Sequence, residues 1–275
     1  MKLADLFDCF LIDLDGVVYV GEKPTGGSAE TINTLKKMGK LVIFITNDPR
    51  RTASEYSKKL RDMGILTKPG DLVTSGMAIA YHIKSEYDDL GNKKAYVIGS
   101  RALKDEIELT GLKLARGEEA KKADFVIMGG HPEFHYEEIK LATLAIGNGA
   151  LFFATNRDPA YPTEEGLVPA TGAMLACIET ASGKKAVVAG KPEIIMFEVA
   201  LAENLHRDKH RLAIIGDRLD TDIEGGKNAG ISTILALSGS TDEKEASESE
   251  IKPDYIIKDL RDLLKEVAGA QKFNA

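Results

Sequence analysis

The sequence predicts an α/β protein: a parallel sheet covered by helices on both faces, with a second α/β unit set into the middle of the chain. Three observations carry this. Short apolar runs alternate with helix-periodic segments from the N-terminus onward. Each run closes on small, polar or charged residues, as strand ends at a ligand-binding sheet edge do. The same alternation returns in the last third of the chain, after a middle stretch with strands and helices of its own.

The first run, Phe7 to Leu14, ends at Asp15-Gly16. Ile32, Leu35 and Met38 then mark an amphipathic helix that Gly39 stops. Leu41 to Ile45 is the next strand and leads into Thr46-Asn47-Asp48-Pro49. Tyr56, Leu60 and Met63 mark a second helix, closed by Gly64. Strands this uniformly apolar are buried on both faces, which is the mark of a parallel sheet. In the last third, Ala186–Ala189 leads to Gly190-Lys191-Pro192, Leu212–Ile215 to Gly216-Asp217, and Thr233–Leu237 to Ser238-Gly239. The middle, residues 82–181, offers strands at 95–98, 125–128 and 151–154, with a helical stretch from Glu137 to Ile146. The expected division is therefore 1–81 and 182–275 for the core and 82–181 for the inserted unit. The acidic, serine-rich segment Thr241–Lys252 reads as a solvated loop.

Of the 275 residues, 43% are hydrophobic and the formal net charge is −7, so a core is affordable and a general nucleic-acid surface is not expected. No run of apolar residues is long enough to predict a membrane span, and no signal peptide is evident, so a cytoplasmic protein is expected. Cys9 and Cys177 both fall in apolar contexts and read as two buried thiols, with no disulfide or metal role.

Four strand ends carry the chemistry. In Asp13-x-Asp15-Gly16, one carboxylate can attack phosphorus and the other can protonate the leaving oxygen and later activate water. Alone, the same residues could form an Asx turn. Thr46-Asn47 can hold phosphate oxygens through a hydroxyl and backbone amides, or can simply cap a helix. Lys191 can neutralise phosphate and nucleophile together, although a lone lysine is often only surface. Asp217, Asp220 and Asp222 suit a hard cation such as Mg²⁺, with Asp220 fitting better as a helix-start acid. The combination carries more than its parts. Two unit charges about 4 Å apart repel by roughly 4 kcal/mol at an effective dielectric of about 20, so a carboxylate needs positive charge to meet a phosphate. A metal ion and Lys191 would supply it.

In this order of motifs, Asp13-x-Asp15-Gly16, Thr46, Lys191 and Gly216-Asp217 with Asp222, the sequence resembles the haloacid dehalogenase superfamily. Asp15-Gly16-Val17-Val18-Tyr19 with Gly21, Thr46-Asn47, Ala154–Asp158, the residues Pro162, Thr163, Glu165, Gly166 and Pro169, and Gly190-Lys191-Pro192 narrow it to the NagD-like or 4-nitrophenylphosphatase branch. The resemblance implies a Rossmann-like core with a type IIA cap. It implies Asp13 as nucleophile, Asp15 as general acid/base, and Thr46 and Lys191 on the phosphoryl group. Mg²⁺ would be held by the Asp13 carboxylate, the Asp15 carbonyl and Asp217, with Asp222 binding it directly or through its waters. Dimerisation through the cap also follows from the resemblance.

Two positions depart from that pattern. Asp48 stands where a second asparagine is usual, which would affect substrate binding or the metal site. Gly130-His131-Pro132 stands where an aspartate is common, making His131 a candidate for specificity or merely a loop histidine. Asn156 and Asp158 would shape the cap loop, contact the leaving group, or form a turn beside Pro159. The expected function is hydrolysis of small phosphomonoesters, the cap excluding large substrates. The alternatives are a phosphotransferase or mutase using the same intermediate, and a catalytically silent binding protein on the same fold.

Overall fold

The computed structural model describes residues 1–163, 165–202 and 208–266. Residues 203–207 and 267–275, assigned to the core from sequence, lie outside this range. Two compact units emerge. The first comprises Met1–Thr46, Ala53–Val73 and the chain from Lys191 on. Among the described residues its main sheet runs in the order Tyr255–Ile257, Ser232–Ala236, Leu212–Gly216, Cys9–Asp13, Leu41–Thr46, Leu72–Thr74. Cys9–Asp13 is buried along its whole length and pairs in parallel with a strand on either side, Cys9 facing Leu212 and Leu41, and Asp13 facing Ile45. Parallel pairing brings the carboxyl ends of these three strands to one sheet edge. Asp13, Thr46 and Gly216 close them there.

The helices form where the apolar spacing placed them. Ser28–Lys37 buries Thr31, Ile32 and Leu35, and Ala53–Asp62 buries Tyr56 and Leu60. Gly39 and Gly64 follow them with φ of 77° and 84°, the left-handed conformation that ends a helix cheaply. Phe7, Phe10, Ile12, Phe44, Ile215 and Ile234 join Ile32, Leu35, Tyr56 and Leu60 in one continuous core.

The second unit comprises Asn47–Thr52 and Thr74–Gly190. Its parallel sheet runs Val187–Val188, Leu151–Ala154, Phe125–Gly130, Lys94–Gly99, Lys113–Leu114. One face packs Tyr96, Ile98, Val126, Met128 and Phe152 against Leu141, Leu175 and Ile178 of two helices, Tyr136–Gly147 and Thr171–Ser182. On the other, Phe125 and Phe153 stack with their centroids 6.2 Å apart, and Tyr87 meets both edge-on.

Four expectations are corrected. The chain passes between the units at 46/47, 52/53, 73/74 and 190/191 rather than at 81/82 and 181/182, and helix Ser75–Glu86 falls within the second unit. Val187–Val188 is not a core strand: it pairs with Phe153–Ala154 at the edge of the second sheet. An apolar run cannot declare which of two sheets it will join. The supposed loop 241–252 contains a helix, Glu243–Glu248, whose start Asp242 caps by accepting from the Glu245 N–H. Its Ala246 is buried with Leu219, Ile223 and Leu235. Cys9 is buried as expected, but Cys177 is exposed. Leu175 and Ile178 take the inward face of its helix, which turns position 177 outward.

Candidate active site

The first unit gathers its charge at the sheet edge where Asp13 ends the central strand. Lys191 Nζ donates to Asp13 Oδ1 and, at 2.6 Å, to Asp222 Oδ1. Asp222 Oδ2 in turn accepts the Arg218 backbone N–H at 3.2 Å. Asp222 comes from a π-helical turn, Leu219–Ile223, that follows the strand Leu212–Gly216. Its carboxyl group lies so close over Gly216 that a Cβ there would overlap it. Asp217 Oδ2 accepts the Ser240 N–H at 2.6 Å, and the Ser238 hydroxyl donates to the Gly16 carbonyl at 2.7 Å. Gly16 and Gly239 flank the Asp217 carboxylate, and neither has room for a Cβ beside it. These side chains are nearly enclosed: Asp13 is 8% exposed, Lys191 4%, Asp217 3% and Asp222 1%.

Charge is unevenly balanced here. Three carboxylates against one ammonium leave a formal −2. Burial pushes the Asp13 carboxyl well above its usual range, with Asp222 and Asp217 adding to the rise and Lys191 opposing it. Burial, then Asp222, lifts Asp217 to about 6. Burial alone would lower Lys191, but Asp13 and Asp222 outweigh it and raise its pKa. Asp13, Asp217 and Asp222 each offer an oxygen, and these lie within 4.8 Å of one another. An all-oxygen donor set with a surplus of two negative charges fits a hard divalent cation such as Mg²⁺.

The other residues singled out from sequence are placed as follows. Thr46 is buried at the end of the strand beside Asp13, one residue beyond the register partner Ile45. Asp15 is exposed, two residues beyond Asp13. Asn47 belongs to the second unit, where it donates from Nδ2 to Asp158 at 3.1 Å. The Asn47 carbonyl accepts from Ser75 Oγ and Asn156 Nδ2 at 2.6 and 2.7 Å. Asn156 Oδ1 accepts the Asp158 N–H at 3.0 Å, so Asn156 and Asp158 build a turn and hold Asn47. The Asp48 carboxylate accepts from Nε and Nη2 of Arg50 at 2.8 and 2.9 Å, which balances its charge within its own loop. His131 Nε2 lies 2.8 Å from Glu138 Oε1, and His135 Nδ1 lies 2.9 Å from the other oxygen.

Sequence reasoning did not single out Ser238 and Ser240 as site residues. The Ser238-Gly239 strand end was the only signal, since a backbone N–H donor such as that of Ser240 leaves no trace in side-chain chemistry.

Residues 10–113 match the family described as Haloacid dehalogenase-like hydrolase, and residues 188–263 match a HAD-hydrolase-like family. An acid sugar phosphatase of Staphylococcus epidermidis is 34% identical over 261 residues, covering 95% of this chain and 98% of the relative. The chain belongs to the haloacid dehalogenase-like hydrolases. A D-glycerol 3-phosphate phosphatase of Mycobacterium tuberculosis is 35% identical over 95% of this hydrolase and 72% of its own length. The crystal structure of the mycobacterial glycerol phosphate phosphatase in complex with magnesium superposes with a TM-score of 0.88, covering 96% of this chain and 78% of that one. A 4-nitrophenylphosphatase of Thermotoga maritima, 34% identical, superposes at 0.87 over 96% of this chain and 98% of its own. This hydrolase is therefore an enzyme of the phosphatase type, and its relatives agree with the branch read from the motifs. Among the described residues, no helix is long and apolar enough to cross a membrane.

Proposed function

We propose that this chain is a magnesium-dependent phosphatase of small phosphomonoesters, sugar or polyol phosphates in particular, working through an aspartyl-phosphate on Asp13. The observation that carries the reading is the enclosed cluster in which Lys191 bridges Asp13 and Asp222 beside Asp217. The substrate class rests on the sugar and glycerol phosphatases among the relatives.

Asp13 and Asp217 would hold the Mg²⁺, with the Asp15 carbonyl and Asp222 completing or supporting its shell. The ion supplies positive charge that offsets both the carboxylates and the phosphate. An Asp13 oxygen attacks phosphorus as the ester P–O bond breaks, and the leaving oxygen takes the proton of Asp15. The Asp15 carboxylate then removes a proton from water, which attacks the phosphoryl group. The bond to Asp13 breaks and inorganic phosphate leaves. Lys191, a full cation held against Asp13, reduces the repulsion between nucleophile and substrate. Thr46, at the end of the neighbouring strand, offers its hydroxyl and amide to the phosphoryl oxygens.

The test is phosphate release from a panel of sugar and polyol phosphates, with Mg²⁺ and with chelator. Metal-dependent turnover that Asp13→Asn abolishes in a folded protein is expected; turnover surviving that substitution sinks the nucleophile assignment. Added acceptor alcohols separate hydrolysis from phosphoryl transfer. Binding without release would indicate a silent protein.

A further inference from the structure

Tyr19 and Gly21 belong to the motif that follows Asp15, yet neither enters the chemistry above. They form part of a small hairpin, Tyr19–Val20 paired with Lys23–Pro24, that rises directly from the nucleophile loop. Its root is tied by backbone bonds. The Gly16 N–H donates to the Tyr19 carbonyl at 2.8 Å, and the Val18 and Tyr19 N–H groups donate to the Leu14 carbonyl at 2.9 and 3.2 Å. Thr25 closes the root by donating from its hydroxyl to the Val17 carbonyl at 2.6 Å. Asp15 itself makes a ladder bridge with Tyr19.

Lys59 contacts the far end. Lys59, from helix Ala53–Asp62, places its ammonium 3.8 Å from the centroid of the Tyr19 ring. It donates to the Gly21 carbonyl at 2.6 Å and pairs with Glu22 at 3.1 Å. The Lys59 side chain is only 12% exposed, whereas that of Glu22 is 75% exposed. An ammonium withdrawn from water prefers an aromatic face and a carbonyl to no partner, so these contacts keep the hairpin against the helix. Asp13, Lys191, Asp217 and Asp222 are gripped by burial and by each other. Asp15 is exposed, and its backbone joins the hairpin through an isolated parallel bridge to Tyr19.

We propose that Lys59 is a positioning residue for Asp15: by clamping the hairpin tip it fixes Tyr19, whose bridge to Asp15 sets how Asp15 reaches the leaving oxygen. This rests on the reading of Asp15 as general acid, and the two can be separated by leaving group. An alkoxide must be protonated as it departs, whereas 4-nitrophenolate departs with little help.

The experiment compares kcat/KM for glycerol 3-phosphate and 4-nitrophenyl phosphate, with Mg²⁺, in Lys59→Met, Lys59→Arg and Asp15→Asn. Lys59→Met should lose about tenfold on glycerol 3-phosphate and under about threefold on 4-nitrophenyl phosphate, a fraction of what a general acid typically contributes. Lys59→Arg, which keeps a cation over the ring, should restore the parental ratio. Equal losses on both esters in Lys59→Met would overturn the clamp, since general damage to the fold does not sort substrates by leaving group. Should Asp15→Asn sort them and Lys59→Met not, the clamp alone fails. Should Asp15→Asn fail to sort them, the general-acid reading fails and takes the clamp with it. Tyr19→Leu removes the ring from the other side and, if Lys59→Met does not fold, must show the same split.

Discussion

The Lys191 ammonium donates to Asp222 Oδ1 at 2.6 Å, with the lysine side chain 3% and the aspartate 1% exposed. The same ammonium reaches Asp13. Removing it leaves two buried carboxylates facing each other, and breaking such a pair from one side costs about 3–5 kcal/mol. Lys191→Met should therefore lose stability on that scale in chelator, as well as turnover. Adding Asp222→Asn removes one orphaned charge, so the double variant should be more stable than Lys191→Met by about 1 kcal/mol or more while staying inactive. Urea unfolding of the two single variants and the double closes the cycle, and strict additivity would show the contact to be inert.

Asp13 leads to an opposite expectation for stability. Burial holds its carboxyl well above the usual range, reinforced by Asp222 and Asp217 and opposed by Lys191. At neutral pH the ionised form thus weighs against the metal-free fold. Asp13→Asn keeps an oxygen for Lys191 without the charge. It should reduce turnover to background, yet match or exceed the parent in urea midpoint under chelator. It should also shrink the rise in melting temperature expected of the parent with Mg²⁺, because the charge of one proposed ligand is gone. A midpoint well below the parent's would contradict this account.

Much of the candidate site was readable because its parts are side chains at the ends of apolar runs. Asp13, Lys191, Asp217 and Asp222 each close or follow such a run, and the fold brings those ends together. The four central strands of the core sheet were readable for the same reason, whereas its edge strands Leu72–Thr74 and Tyr255–Ile257, three residues each, were too short to stand out. Val187–Val188 was misplaced because an apolar run carries no label for the sheet it joins. The pairing of Asp48 with Arg50 was not readable, since the short reach of Arg50 back to it depends on loop geometry. The Ser240 amide that steadies Asp217 was invisible because it is backbone.

Gly16 tests how tightly Asp217, the proposed metal ligand, is packed. It has a φ of 84°, and a Cβ there would overlap the Asp217 carboxylate. Gly16→Ala must strain the backbone, at about 1–3 kcal/mol, and must also displace Asp217. The expected result is a higher Mg²⁺ requirement for activity together with a lower melting temperature. Gly21→Ala is the control: it shares the left-handed conformation, with φ of 59°, but its Cβ would meet nothing. It should lower melting while leaving the Mg²⁺ titration where it was. If both shift the titration equally, backbone strain alone explains the effect.

In the second unit, Glu179 offers a test by pH. Its side chain is 5% exposed and accepts from Arg157 at 2.8 Å, Lys185 at 2.6 Å and the Ala186 N–H at 3.1 Å. Burial alone would raise its pKa, but these donors prevail and bring it from 4.5 to about 2. A carboxyl depressed in the folded state stabilises it fully above the unfolded value of 4.5, and that contribution drains away as the pH falls towards 2. Glu179→Gln should thus cost about 2 kcal/mol at pH 7, the scale of hydrogen bonds to a charged group. The difference from the parent should narrow steadily below pH 4.5. Unfolding of parent and variant at pH 7, pH 4 and pH 3 measures it. A gap that stayed constant across this range would mean that shape, rather than charge, is what Glu179 provides.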